Sequence, residues 1–132
     1  MLIPNIHFPG TCSEAIVFYK EVLGATVKEV AYARNAPPDS GMNELPPDFV
    51  MHSELTIFGT TVYMTDGAKK QGTSENYSFA VLVDTADEVT AIFNKLADGG
   101  KVIEAPAQQF WAAFYGFVED RFGVGWQITT KD

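Results

Sequence analysis

The tetrapeptide Thr11-Cys12-Ser13-Glu14 returns in form as Thr85-Ala86-Asp87-Glu88, and that return limits the folds open to the chain. Thr11 and Thr85, Glu14 and Glu88, and Tyr19 and Phe93 are each 74 residues apart. Both tetrapeptides have the form of a capping box: the threonine hydroxyl accepts from the backbone N–H three residues on, and the glutamate reaches back. An apolar stripe at helical spacing follows each one, Ala15, Phe18, Tyr19, Val22 and Leu23 in the first case. In the second it is Val89, Ile92, Phe93 and Leu96. Gly24 stands where the first helix would end, and Gly99–Gly100 where the second would. Self-similarity at a fixed distance is the mark of a duplicated unit.

Strand-like runs flank both helices. Residues 2–8 form a short apolar run closed by Pro9-Gly10, and residues 26–33 form another. Residues 50–58 and 60–65 read as a hairpin around Gly59. The second half repeats the order with strands at 77–83, 101–104, 110–118 and 124–129, the last two joined by a turn at 120–123. Each half is therefore β-α-β-β-β, and the fold class is α+β. The organisation expected is a first module at 1–67, a linker at 68–76 and a second module at 77–132. Each module would carry a curved mixed sheet with its helix outside, leaving the inner faces to enclose a cup. Residues 35–48 hold four prolines, Pro37, Pro38, Pro46 and Pro47, in a connection of a length that forms either a lid or a disordered loop.

Composition excludes several partners. The chain has 132 residues, 46% of them hydrophobic, enough to build a core without staples. Its single cysteine, Cys12, allows no internal disulfide, which suits a reducing compartment. No apolar run has the length of a membrane span, and no basic-then-apolar leader opens the chain. A soluble cytoplasmic protein without a membrane partner is expected. A formal net charge of −8, with only nine scattered Lys and Arg, argues against binding nucleic acid.

The stretches PNIHFPGTCSEAIVFYKEVLGA, VMHSELTIFGTTVYMTD and QQFWAAFYGFVEDRFGVGWQI carry a resemblance. With the second helix they span nearly the whole chain. They resemble the PhnB-like (demethylubiquinone methyltransferase-like) branch of the glyoxalase, or vicinal oxygen chelate, superfamily. The resemblance implies paired βαβββ modules, a homodimer, and a small-molecule ligand held in the cup of the curved sheets. Enzymes of that superfamily hold a divalent metal through four side chains on four inner strands. Carried over by position, these fall on Pro4, Met64, Ser78 and Gln127. Proline has no donor atom, Met is a soft thioether, and neutral Ser and Gln oxygens are weak ligands without a carboxylate beside them. The expectation is therefore no metal, no other cofactor, and neither glyoxalase nor dioxygenase chemistry of the metal-dependent kind. The methyltransferase label finds no glycine-rich strand-to-helix turn followed by an acidic residue, as a nucleotide-like cofactor fold would need.

Each candidate residue also has a plain structural role. His52 and Glu54 are two apart on a strand and share a face, an arrangement by which a carboxylate can orient an imidazole base. The plain reading is a solvated edge. Trp111, Tyr115 and Phe117 share a face, either as core or as a stacking wall. Met64, Ser78, Gln127, Trp111 and Tyr115 are the expected cup residues. Cys12 falls in a first helical turn, where a thiol can be activated, but no basic residue is beside it. His7, on the opposite face from Pro4, is expected against the helix, Trp126 in the core, and Asp120 in a turn. Three functions stay open: metal-independent binding of a small organic molecule, metal-free lyase or isomerase chemistry by His52–Glu54 or a tyrosine, and a dimeric scaffold whose cavity is filled by its own side chains.

Overall fold

The computed structural model describes residues 1–131. The first unit contains β1 (Asn5–Phe8), α1 (Cys12–Leu23), β2 (Thr26–Tyr32), β3 (Val50–Ile57) and β4 (Thr60–Asp66). The second contains β5 (Phe79–Val83), α2 (Ala86–Ala97), β6 (Lys101–Gln109), β7 (Ala112–Glu119) and β8 (Gly125–Thr130). The two sheets have the orders β1-β4-β3-β2 and β5-β8-β7-β6, with the first pair of each parallel and the rest antiparallel. This is the same βαβββ topology twice, as the repeat requires. The compact units divide after Gln71, inside the polar stretch that follows β4.

In the first module, Ile6 and Phe8 on β1 and Val62, Met64 and Asp66 on β4 are buried. Cys12, Ala15, Ile16, Phe18, Tyr19 and Leu23 are buried on α1. Alternation places the buried strand residues on one face, and the Asp66 carboxylate identifies it as the helix face by accepting from the Cys12 N–H of α1 at 2.9 Å. Its other oxygen accepts from the Val50 N–H at 2.9 Å, so one side chain ties β4 to the starts of both α1 and β3. At the β3–β4 turn, Phe58 at φ 48° and Gly59 at φ 78° supply the paired left-handed residues that suit a two-residue hairpin.

The second module buries Val89, Phe93 and Leu96 of α2 against β7 and β8. A Cβ at Gly116 would lie 2.9 Å from the Phe93 ring, so the glycine is what lets α2 approach β7. Asp120, 3% exposed, organises the β7–β8 turn: Oδ1 accepts from the Phe122 and Val124 N–H groups, and Oδ2 from Trp126 Nε1–H at 2.9 Å. Trp126 is core and Asp120 is a turn residue, as expected from the sequence.

Several boundaries moved. Strand β1 starts at Asn5 rather than at residue 2, and β6 runs to Gln109 rather than stopping at 104. Phe110 and Trp111 therefore form the turn between β6 and β7 instead of opening a strand. The capping box at Thr85 forms, with Glu88 N–H donating to Thr85 Oγ1 and that hydroxyl bonding the Glu88 carboxylate. The one at Thr11 does not. Thr11 has φ −105° and ψ 9°, outside the extended geometry of a working N-cap, and its hydroxyl is buried without a partner. A short 3-10 turn, Ala33–Asn35, leads into the 35–48 segment, and a second, Met42–Glu44, lies within it.

Candidate functional site

The sheet faces turned away from the helices carry the chemistry. On the second module that face includes Ser78, just before β5, Gln127 on β8, and Tyr115 and Phe117 on β7, all opposite in alternation to the helix-facing Val81, Trp126, Ile128 and Val118. Three of the expected cup residues are joined there. Tyr115 Oη donates to Gln127 Oε1 at 2.9 Å, and Gln127 Nε2 donates to Ser78 Oγ at 2.7 Å. The chain of bonds has one sense, so Ser78 keeps its hydroxyl proton to donate elsewhere. Tyr115 is 8% exposed, and burial together with the nearby Glu104 carboxylate pushes its phenol pKa up. A phenol so held remains protonated and acts as a donor rather than a base. The Trp111 ring packs against Tyr115 with centroids 5.5 Å apart at 73°, and Phe110 packs on Trp111 at 4.9 Å and 87°.

Met64 is elsewhere. It is fully buried on the helix face of β4, between Val62 and Asp66, so its expected place in the cup is corrected. Pro4, counted back from the first helix, is displaced for a separate reason, a register difference between the repeats. The helices begin and end 74 residues apart, whereas matching the buried residues of β1 (Ile6, Phe8) to those of β5 (Val81, Val83) requires 75. The first module has one more residue between strand and helix, and counting back from the helix therefore lands on the wrong face. By strand register the counterpart of Ser78 is Ile3 rather than Pro4. Asn5 pairs with Tyr63 as Ala80 pairs with Gln127, so Tyr63 is the counterpart of Gln127. The same shift turns His7 away from α1, where it is exposed and its Nδ1 lies 3.1 Å from Thr65 Oγ1.

The four positions read by strand register are thus Ile3, Tyr63, Ser78 and Gln127. An alkyl group, a neutral phenol, and a hydroxyl and an amide already bonded to each other do not make a donor set for a divalent cation. The turns before the helices do not fit a nucleotide-like cofactor either. N–H groups at both helix starts are already engaged, by the Asp66 carboxylate at α1 and by the Thr85 hydroxyl at α2, where phosphate or carboxylate groups of a ligand would need to bind.

His52 and Glu54 share the open face of the first module, but they are not partners in an ion pair. His52 Nε2 lies 3.6 Å from Glu29 Oε1, and Glu54 bonds Lys28 Nζ at 3.2 Å. His52 also packs its ring edge-on to Tyr63, centroids 4.7 Å apart. The Cys12 thiol is fully buried, and desolvation with the nearby Asp66 carboxylate pushes its pKa far up, which makes it inert at neutral pH. Glu104 was missed from sequence because β6 was ended there. The alternation of 104, 107 and 109 against 117, 115 and 112 becomes visible only once the strand is drawn to its full length.

Comparison with known proteins gives consistent matches along the whole chain. Residues 1–129 match the family described as 3-demethylubiquinone-9 3-methyltransferase. Protein YjdN of Escherichia coli (strain K12) is 33% identical over 140 residues, covering 96% of this chain and 92% of YjdN. Protein PA1353 of Pseudomonas aeruginosa superposes with a TM-score of 0.83 at 29% identity, over 98% of this chain and 96% of that one. The PhnB protein of Bacillus cereus shares the fold, with a TM-score of 0.82 at 22% identity and 98% of both chains covered.

Proposed function

The chain belongs to the 3-demethylubiquinone-9 3-methyltransferase family, the PhnB-like branch of the glyoxalase superfamily, and on that premise we propose that it binds a small organic molecule without a metal. The binding surface is the open face of the second module, with Ser78 and Gln127 as polar anchors and Tyr115 and Trp111 as the aromatic wall. One observation carries this reading: at positions where the superfamily's enzymes place ligands, Ser78 and Gln127 are bonded to each other, and Gln127 also to Tyr115. Such a chain presets donors and acceptors for an uncharged or weakly charged group and offers no carboxylate to a cation at its centre. The protein acts as a homodimer in a reducing, cytoplasmic setting, in keeping with its single buried thiol.

Melting curves with and without EDTA, against divalent metals and then a panel of small metabolites, test the reading. A compound bound only by the folded protein, at a hundred times its dissociation constant, adds about 2.7 kcal/mol of stability. The expected result is a rise with an organic compound, no response to Mn²⁺, Zn²⁺ or EDTA, and loss of the rise in Gln127→Leu and Tyr115→Phe. Stabilisation by metal and destabilisation by EDTA would return the metalloenzyme reading. An unchanged affinity in both variants would move the binding off this face.

A further inference from the structure

We propose that the ligand of the second module's open face is a methylated ammonium compound, its cationic head held in the corner between the Trp111 and Tyr115 rings and beside the Glu104 carboxylate. The assignment rests on the reading of that face as a binding surface and names the chemistry of what it binds.

Three rings stand in series, each set steeply against the next: Phe110 on Trp111 at 87° and Trp111 on Tyr115 at 73°. Rings so arranged make a corner walled by π faces, whose negative quadrupole attracts a cation within about 6 Å of the centroid. A carboxylate completes the corner. Glu104 on β6 is the cross-strand partner of Phe117 on β7, with a register shift on either side of it, and this pairing sets it on the side of Phe117 and Tyr115. Gln109 Nε2 donates to Glu104 Oε1 at 3.1 Å and fixes its direction. Ala107, opposite Tyr115, adds only a methyl group beside the ring. Burial first and the Glu104 carboxylate second push the Tyr115 phenol pKa up, in keeping with that placement.

The corner is open on its outer side, where Trp111 is 55% exposed and Phe110 97%, while Tyr115, 8% exposed, is its buried floor. An exposed corner cannot compensate the dehydration of a primary ammonium, whereas a methylated head is weakly hydrated and presents methyl groups to the rings. The chain's net charge of −8 raises the local concentration of cations without choosing among them. From the corner, the line Trp111, Tyr115, Gln127, Ser78 runs across the sheet and ends on a hydroxyl with a proton to give. The matching compound therefore has a methylated ammonium at one end and an uncharged hydrogen-bond acceptor, such as a hydroxyl, at the other.

The test uses choline and its neutral isostere 3,3-dimethylbutan-1-ol, in which carbon replaces the charged nitrogen at almost constant shape. Both are titrated into the full-length protein while the two indole N–H signals and the Gln127 side-chain amide are followed by NMR. Trp126 is 4% exposed with its N–H held by Asp120, so its signal is an internal control. Choline is expected to move the Trp111 and Gln127 signals and to bind at least about tenfold more tightly than the isostere, with Trp111→Leu and Glu104→Gln each weakening it severalfold. Equal binding of the isostere would overturn the ammonium assignment and leave the binding face standing. Shifts from choline elsewhere on the surface, with Trp111 silent, would overturn it as mere attraction to an acidic protein. Silence of Trp111 and Gln127 to both probes would overturn it too, and the metabolite panel then decides by itself whether the face binds anything.

Discussion

Asp120 concentrates more of the second module's order than any residue singled out for function. Its buried carboxylate accepts two backbone N–H groups and the Trp126 indole, closing the turn and anchoring the largest core side chain at once. Bonds to a charged acceptor are each worth about 1.5–3 kcal/mol, and removing the acceptor leaves buried donors unpaired. Asp120→Ala is therefore expected to cost roughly 3–4 kcal/mol in urea unfolding, well above an exposed carboxylate such as Asp87; a loss under 1 kcal/mol would show that water replaces the carboxylate. The sequence placed Asp120 in a turn from the Asp-x-x-Gly form, but the reach of its second oxygen to Trp126, six residues on, depends on how β8 pairs with β7. His52 makes the opposite point. Its spacing from Glu54 was legible, but the carboxylate nearest it is Glu29, brought by β2 pairing on β3.

At the scale of elements, two tetrapeptides of one form behave differently. Thr85 caps α2 with its own hydroxyl, while at α1 the N-terminal N–H of Cys12 is taken by Asp66 from a neighbouring strand. The extra residue between β1 and α1 turns Thr11 out of cap geometry, and the Asp66 carboxylate suits the positive end of the helix dipole better than a hydroxyl. Thr85→Ala is expected to destabilise by about 1 kcal/mol. Thr11→Val, which removes an unpartnered buried hydroxyl at constant shape, is expected to be neutral or stabilising. Thermal unfolding of the two variants side by side decides this; equal losses would mean that Thr11 caps its helix in solution. The helices were legible because an apolar stripe and a following glycine agree at each, although only the second has its threonine cap. Strand faces were less so, since a single added residue reverses every side chain on a strand.

At the scale of the whole molecule, the duplication supplies two sheets that each end in an exposed strand, β2 in one and β6 in the other. On β6, Val102 and Ile103 are 50% and 44% exposed, apolar side chains on an edge whose backbone groups are free to pair. A two-fold partner would cover such a surface. Light scattering should accordingly give twice the 14.5 kDa chain mass at micromolar concentration, and Ile103→Lys should shift it toward the monomer. A monomer at every concentration would sink the homodimer. No helix among the described residues is long and apolar enough to cross a membrane.

The sequence by itself determined the repeat, the order of elements in each module, both helices, and the weak ligand chemistry of Ser78 and Gln127. These follow from local periodicity, from capping and turn chemistry, and from which side chains possess donor atoms. Tertiary structure alone decided which face Met64 and His7 take, which carboxylate meets His52, that Asp66 caps α1, and that Tyr115, Gln127 and Ser78 form one bonded line. Each of those depends on strand pairing and register. Backbone hydrogen bonds between distant segments set that register, and the side chains record it only as an alternation that one inserted residue can invert.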